Sequence, residues 1–297
     1  MPWIIFAIAA PALYGISNFF DKFLIEKKIK DPILLTIFGG VIISLAGMII
    51  FIVRGFVVLD LRPIFILLIS GILAEIALVP YFKALSLEDA SRISPLFQVI
   101  PVFVLILSYF LVGEVLAQKQ LFGFFLILLG SFFISFEKRI GGILRVRKAL
   151  RWVLLASILW AFSSVVFKFA IIDLNFWDAL VYEFLGVAVG CLILFLFYSR
   201  RFIAQFKIMS AGAWAVLNIN EVVYFLGRLC TFYAISLGPV SLVTVLNGFH
   251  PVFVLVFGFV LSVWFPHIVK EDIAKKTIVS KSVAMVLMIL GLWFVSS

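Results

Sequence analysis

Asn218, Glu221, Tyr224 and Arg228 follow one another at intervals of three and four, the spacing that puts side chains on one face of an α-helix. They lie inside an apolar run, where an amide, a carboxylate or a guanidinium costs several kcal/mol unless it is paired or solvated. Such a stripe either lines a watered cavity and holds the polar parts of a solute, or is buried against the polar groups of another helix. At a rise of about 1.5 Å per residue, Glu221 and Arg228 stand roughly 10 Å apart along the axis, too far for an easy direct pair. The next run adds Ser241, Thr244, Asn247 and His250, again at i+3, and ends just before Pro251.

Other polar groups sit at similar depth. Glu75, halfway along the third apolar run, is the deepest carboxylate; it could carry a proton or pair with Arg228. Ser94 and Gln98 occupy the fourth run, with Pro101 after them. Ser17 and Asn18 in the first run, like Ser163 and Ser164 in the sixth, precede a lysine. Lys22 is close enough to its helix end to snorkel, whereas Lys168 is deeper and has Glu183 as its expected counter-charge. Tyr14, Trp160 and Tyr224 share faces or neighbourhoods with these groups, and aromatic faces attract cations. The expected solute-binding set is therefore Tyr14, Ser17, Asn18, Glu75, Gln98, Trp160, Ser163, Asn218, Glu221, Tyr224, Arg228, Asn247 and His250.

Enzymatic chemistry has little to work with. The only histidines are His250 and His267, and no acidic cluster has metal-ligand spacing. Cys191 and Cys230 both fall inside apolar runs, so neither a disulfide framework nor a cysteine metal site is indicated. No catalytic residue, metal or cofactor is expected, and a membrane-embedded enzyme acting on lipid-linked phosphates is the disfavoured reading.

The elements that position these residues follow from composition. Of 297 residues, 65% are hydrophobic and 13% charged, against roughly 45–50% apolar in soluble domains. The chain reads as an all-α integral membrane protein. Its apolar runs break every 20 to 30 residues, and about 20 helical residues cross a hydrocarbon layer of roughly 30 Å. Ten spans are expected, at 3–22, 33–53, 64–85, 92–111, 119–136, 152–172, 176–198, 212–236, 240–264 and 279–296. The first lacks a positive leading segment and reads as a span rather than a cleaved signal. Nothing alternates in polarity as β-barrel strands do.

The net charge of +9 has an explanation in orientation, so no nucleic-acid partner is needed. Odd-numbered loops hold 17 lysines and arginines, among them Lys27, Lys28, Arg145, Arg200 and Arg201; even-numbered loops hold Arg54, Arg62 and Lys119. That bias places the odd loops in the cytoplasm and both termini outside.

The chain is also a duplication. Residues 82–111, FKALSLEDASRISPLFQVIPVFVLILSYFL, align without a gap on residues 232–261, FYAISLGPVSLVTVLNGFHPVFVLVFGFVL, at an offset of 150. At an offset of 146, Tyr14, Ser17, Lys22 and Phe23 fall on Trp160, Ser163, Lys168 and Phe169. Two repeats result, 1–137 and 152–297, joined by a basic loop at 138–151. The second repeat carries an insert near Pro266 to Lys276 that reads as an interfacial helix or loop. Five spans is an odd number, so the second repeat must enter the membrane from the opposite side. Inverted repeats can exchange conformations and expose a central site alternately to the two faces, which favours a carrier over a channel. Pro11, Pro80, Pro101 and Pro251 mark kinks, and Gly123 with Gly130 reads as a close packing face.

These motifs resemble the drug/metabolite transporter (DMT) superfamily, in its ten-helix form with two EamA domains. The resemblance rests on YGISNFFDK and WAFSSVVFK, on ALSL and AISL, on the proline-centred fourth helix ending at Glu114 of LVGEVL, and on the two-glycine helix GFFLILLG. It covers nearly the whole chain. In two respects the chain departs from the family: Trp264 stands where the first repeat has Glu114, and many family members are described with cytoplasmic termini. The resemblance implies a plasma-membrane carrier of a small polar metabolite, such as an amino acid or related solute, with a central cavity, working in the bilayer as a monomer or homodimer. Proton coupling through Glu75, Glu221 or His250 would fit the intramembrane acids. The same fold could flip a lipid or lipid-linked sugar.

Overall fold

The computed structural model describes the whole chain except residues 30, 32, 86, 88–93, 136–142, 265–274 and 297. Among the described residues all regular structure is helical. The helices are α1 (Pro2–Lys27), α2 (Ile33–Val53), α3 (Leu61–Ile76), α4 (Leu78–Leu85), α5 (Ile100–Leu111), α6 (Gln118–Ser135), α7 (Ile143–Ile171), α8 (Phe176–Ile208), α9 (Ala211–Leu237), α10 (Val240–Leu246), α11 (His250–Trp264) and α12 (Lys275–Ser296). Two 3-10 segments, Ser94–Val99 and Asn247–Phe249, precede α5 and α11.

Three of the expected spans are broken, and each break is at a proline. A proline lacks the N–H that an α-helix needs and collides with the carbonyl four residues back. Pro80 therefore leaves the Ile76 carbonyl unserved, and the helix is interrupted between α3 and α4. Pro101 and Pro251 fall in the first turn of α5 and α11, where no such bond is required, and the chain ahead of each tightens to 3-10 geometry. Pro11 lies within α1 without ending it.

Among the described residues six helices are long and apolar enough to cross a membrane: Pro2–Asp21, Ile33–Val53, Leu61–Ala84, Ala149–Ile171, Phe176–Ile208 and Val240–Gly258. Leu96–Leu111, Gln118–Ile134 and Ser282–Ser296 are apolar but shorter. At 27 residues α9 is long enough, but it is interrupted by Asn218, Asn220, Glu221 and Arg228. The insert expected near Pro266 to Lys276 lies mostly outside the described residues; α12 begins at Lys275.

The helices pack in pairs. α1 lies along α9 and α11, α3 along α8 and α7, α2 along α8, α5 along α7, and α6 along α12. Glycines set the closest approaches. A Cβ on Gly71 would run into the backbone of Glu183, and one on Gly186 into the backbone of Leu68, so the α3 and α8 backbones touch. A Cβ on Gly123 would stand 2.6 Å from the Gly291 carbonyl, which makes the expected glycine face the α6–α12 seam. Phe124, Phe167, Phe184, Leu180 and Ile235 fill the largest core cluster.

Contacts recur at positions that correspond in the two repeats. Ser17 Oγ donates to Asn220 Oδ1 at 2.7 Å, while Ser70 Oγ donates to the Ser163 carbonyl at 3.0 Å. The Tyr14 hydroxyl meets Thr231 Oγ1 at 3.0 Å, while the rings of Trp160 and Tyr81 stand 5.4 Å apart. Each pair maps onto the other by the offsets of 146 and 150 found in the sequence.

Lys168 does not meet Glu183, its expected counter-charge. Its ammonium donates to the carbonyls of Ile235 at 2.9 Å and Gly238 at 3.0 Å. These carbonyls form the negative end of α9, which favours a cation. Glu114 holds the other side of this corner, accepting from the N–H groups of Val240 and Ser241 at 2.8 and 3.0 Å where α10 begins. Arg54 and Asp178 pair at 2.8 Å between the end of α2 and the start of α8.

Candidate functional site

The buried charges meet where α3, α8 and α9 come together. Arg228 Nη2 lies 2.6 Å from Glu183 Oε1, and their side chains are 8% and 0% exposed. The guanidinium also stands over the rings of Phe184 and Phe232, at 5.9 and 5.4 Å from their centroids. Glu183 comes inward because α8 must present Gly186, one turn further on, to the backbone of α3. Its counter-charge is thus supplied by α9, which explains why Lys168 is engaged elsewhere.

Glu75, 1% exposed, packs against Gly40, Gly190 and Cys191. Its Oε1 and the second oxygen of Glu183 are buried with no hydrogen-bond partner. Glu221, 6% exposed, lies against Gly39 of α2. Among the described residues neither Glu75 nor Glu221 has an ion-pair partner. The direct Glu75–Arg228 pairing considered from sequence is not what forms: the guanidinium is taken by Glu183.

Beside this centre runs a polar chain from α1 to α9. Ser17 donates to Asn220, and Asn220 Nδ2 donates to Asp21 Oδ1 at 2.8 Å. Tyr14 and Tyr224 approach at 5.5 Å between ring centroids, and His250 reaches the Tyr14 backbone. On the other side Trp160 Nε1 donates to the carbonyl of Ala74, next to Glu75. Gln98 accepts from Ser131 Oγ of α6 at 2.9 Å, and the buried oxygen of Asn247 has no partner.

Of the residues expected from sequence, Tyr14, Glu75, Glu221, Tyr224 and Arg228 gather at or beside the charged centre. Ser17, Trp160, Ser163 and His250 flank it on α1, α7 and α11. Gln98 and Asn247 occupy the two 3-10 segments. Asn18 and Asn218 are exposed on the outer surface. Asn218 bonds the Trp214 carbonyl of its own helix. A helix turns about 100° per residue, and the buried face of α9 runs through Leu217, Glu221 and Arg228, so Asn218 falls to one side.

Four participants were not singled out for this site by the stripe reasoning. Asn220 sits next to Glu221 but off the three-and-four stripe, and Asp21 falls at the end of the first expected span, 3–22, although α1 itself continues to Lys27. Tyr81 and Phe97 look like ordinary apolar bulk. The repeat alignment was the available signal, since it pairs Tyr81 with Thr231 and Ser70 with Asn220.

Long apolar helices, glycine seams and ionisable groups enclosed at the helix junction define a multi-pass helical membrane protein. Residues 1–136 and 147–297 each match the EamA-like transporter family. The chain belongs to that family and is a membrane transporter of the drug/metabolite type. An uncharacterised protein of Methanocaldococcus jannaschii is 26% identical over 137 residues, covering 44% of this chain and 95% of its own length. A solved crystal structure superposes with a TM-score of 0.66 at 16% identity, covering 97% of this chain and 98% of that one, and so shares the fold.

Proposed function

We propose that this protein is a secondary carrier of a small polar metabolite, such as an amino acid or related solute, built as ten spans in two inverted five-helix repeats. It works by alternating access in the plasma membrane, as a monomer or homodimer. The observation that carries this reading is the buried charged centre at the junction of α3, α8 and α9, flanked by contacts that correspond under the repeat offsets: Ser17 with Asn220 and Ser163 with Ser70. An exchange of conformation between repeats would trade one set of contacts for the other and expose the centre to each face in turn. Glu75, Glu221 and His250 are the groups that would carry protons if transport is proton-coupled.

Purified protein in liposomes should move or exchange at least one solute from a panel of amino acids, amines and sugars. No flux of any of these under any pH gradient sinks the carrier reading. Coupling is refuted separately if E75Q, E221Q and H250Q combined leave the pH dependence of flux unchanged. Orientation is read with reporter fusions: both termini should score as external and the 138–151 loop as cytoplasmic.

A further inference from the structure

One helix is much longer than a bilayer is thick. α8 runs for 33 residues, roughly 50 Å at about 1.5 Å per residue, against a hydrocarbon layer of roughly 30 Å. Its start is fixed at one boundary by the Arg54–Asp178 pair. The excess therefore falls at its other end, and residues 199–208 stand at headgroup depth. Phe206 of this stretch packs on Trp214 at the start of α9, with 4.6 Å between ring centroids, and tryptophan is a residue of that interface.

One face of α8 runs unbroken from the apolar part of the helix into this stretch. Val189, Leu192, Leu196, Arg200, Ile203 and Lys207 follow at intervals of three and four, which keeps them on one side. All six are exposed, so α2 and α3, which pack along α8, lie against its other faces. The stripe is apolar as far as Leu196 and then carries two cations, two turns or about 10 Å apart, with Ile203 between them. Acyl chains cover the first part of such a stripe, and headgroup phosphates meet the second.

The cations at this end of α8 are not equivalent. Arg201 is 3.8 Å from Asp31 and lies over the ring of Tyr198. Lys28 is exposed close by, since Gln205 donates to its carbonyl at 3.4 Å. Arg200 and Lys207 have no ion-pair partner among the described residues. Their charge is free to be met from the membrane.

We propose that this face of α8 binds an anionic phospholipid of the surrounding leaflet, with its acyl chains along Val189, Leu192 and Leu196 and its phosphate between Arg200 and Lys207. A guanidinium matches a phosphate through two parallel N–H···O bonds, and Lys207 adds a second charge. A zwitterionic lipid brings its own ammonium to the same place and gains less. Each basic residue at an anionic surface is worth about fivefold in affinity, so the two together give about 25-fold. The lipid is a bound partner and not the cargo, so the inference goes beyond the carrier reading and does not rest on it.

The test titrates full-length protein in detergent with dioleoylphosphatidylglycerol or dioleoylphosphatidylcholine and counts retained lipid by native mass spectrometry. The expected result is a tenfold or greater preference of the wild type for phosphatidylglycerol. That preference should disappear in R200Q/K207Q and persist in R200K/K207R, which keeps both charges. It should persist too in K119Q, which removes an exposed lysine at the start of α6. Variants are accepted only if they elute as wild type in gel filtration, and the two single variants replace a double one that does not. Equal affinity of the wild type for the two lipids would overturn the inference, as would a preference kept in R200Q/K207Q or lost in K119Q. Displacement of bound phosphatidylglycerol by inorganic phosphate or by poly-L-glutamate, at constant ionic strength, would assign the cations to a free anion or an acidic protein and would also overturn it.

Discussion

Removing Arg228 should be among the most damaging single changes in this protein. In R228M the carboxylate of Glu183, fully enclosed and 2.6 Å from the lost nitrogen, is left with no counter-charge. Its second oxygen is already without a partner, and Glu75 adds a further acid nearby. Breaking one side of a buried ion pair costs about 3–5 kcal/mol, because the remaining charge stays desolvated. For a chain of this size that corresponds to on the order of 10 °C in Tm. E183L should cost similarly, since it strands the guanidinium between Phe184 and Phe232. The double variant R228M/E183L removes both charges, and an apolar replacement of a buried pair is often close to neutral. It should therefore recover most of the lost stability, giving a large favourable coupling in the double-mutant cycle. The measurement is thermal unfolding in detergent, followed by loss of the monodisperse gel-filtration peak. The reasoning is refuted if R228M lowers Tm by less than about 2 °C, or if the losses of the two single variants simply add in the double one.

Other changes test the rest of the architecture. G71A should separate α3 from α8, because the new methyl meets backbone rather than a movable side chain; overpacking of this kind costs about 1–3 kcal/mol or more, and an unchanged Tm would contradict the contact. N220L should cost about 1–3 kcal/mol by leaving Ser17 and Asp21 unpaired. N218L, two residues earlier but exposed, should be neutral or stabilising in the same unfolding assay. E114A removes the acceptor for two N–H groups at the start of α10 and should lose about 1–2 kcal/mol; E114Q, which can still accept but carries no charge, should fall between it and wild type.

The amino-acid sequence determined the class of this protein through a bulk property. A chain that is 65% hydrophobic can satisfy its backbone in lipid with helices, and three of its prolines, Pro80, Pro101 and Pro251, mark where helices break, whereas Pro11 leaves α1 unbroken. Pro101 and Pro251 end 3-10 segments at matched places for a local steric reason, so they were legible without any tertiary contact. The glycine seam of α6 was legible too, as a lack of side chains at helical spacing. Pairing of charges was not. Periodicity put Asn218 on the stripe with Glu221 and Arg228, but a stripe drawn at three and four drifts around a helix. Only the packing of α9 against α1 and α8 decided which edge of it is enclosed. Likewise Lys168 and Glu183 were plausible partners by depth. The tertiary structure turned the lysine to the carbonyls ending α9 and gave the glutamate to Arg228. The inventory of buried charge was fixed by the chain, whereas the partner of each charge depended on which helix backbones could touch, and the glycines of α3 and α8 settled that in three dimensions.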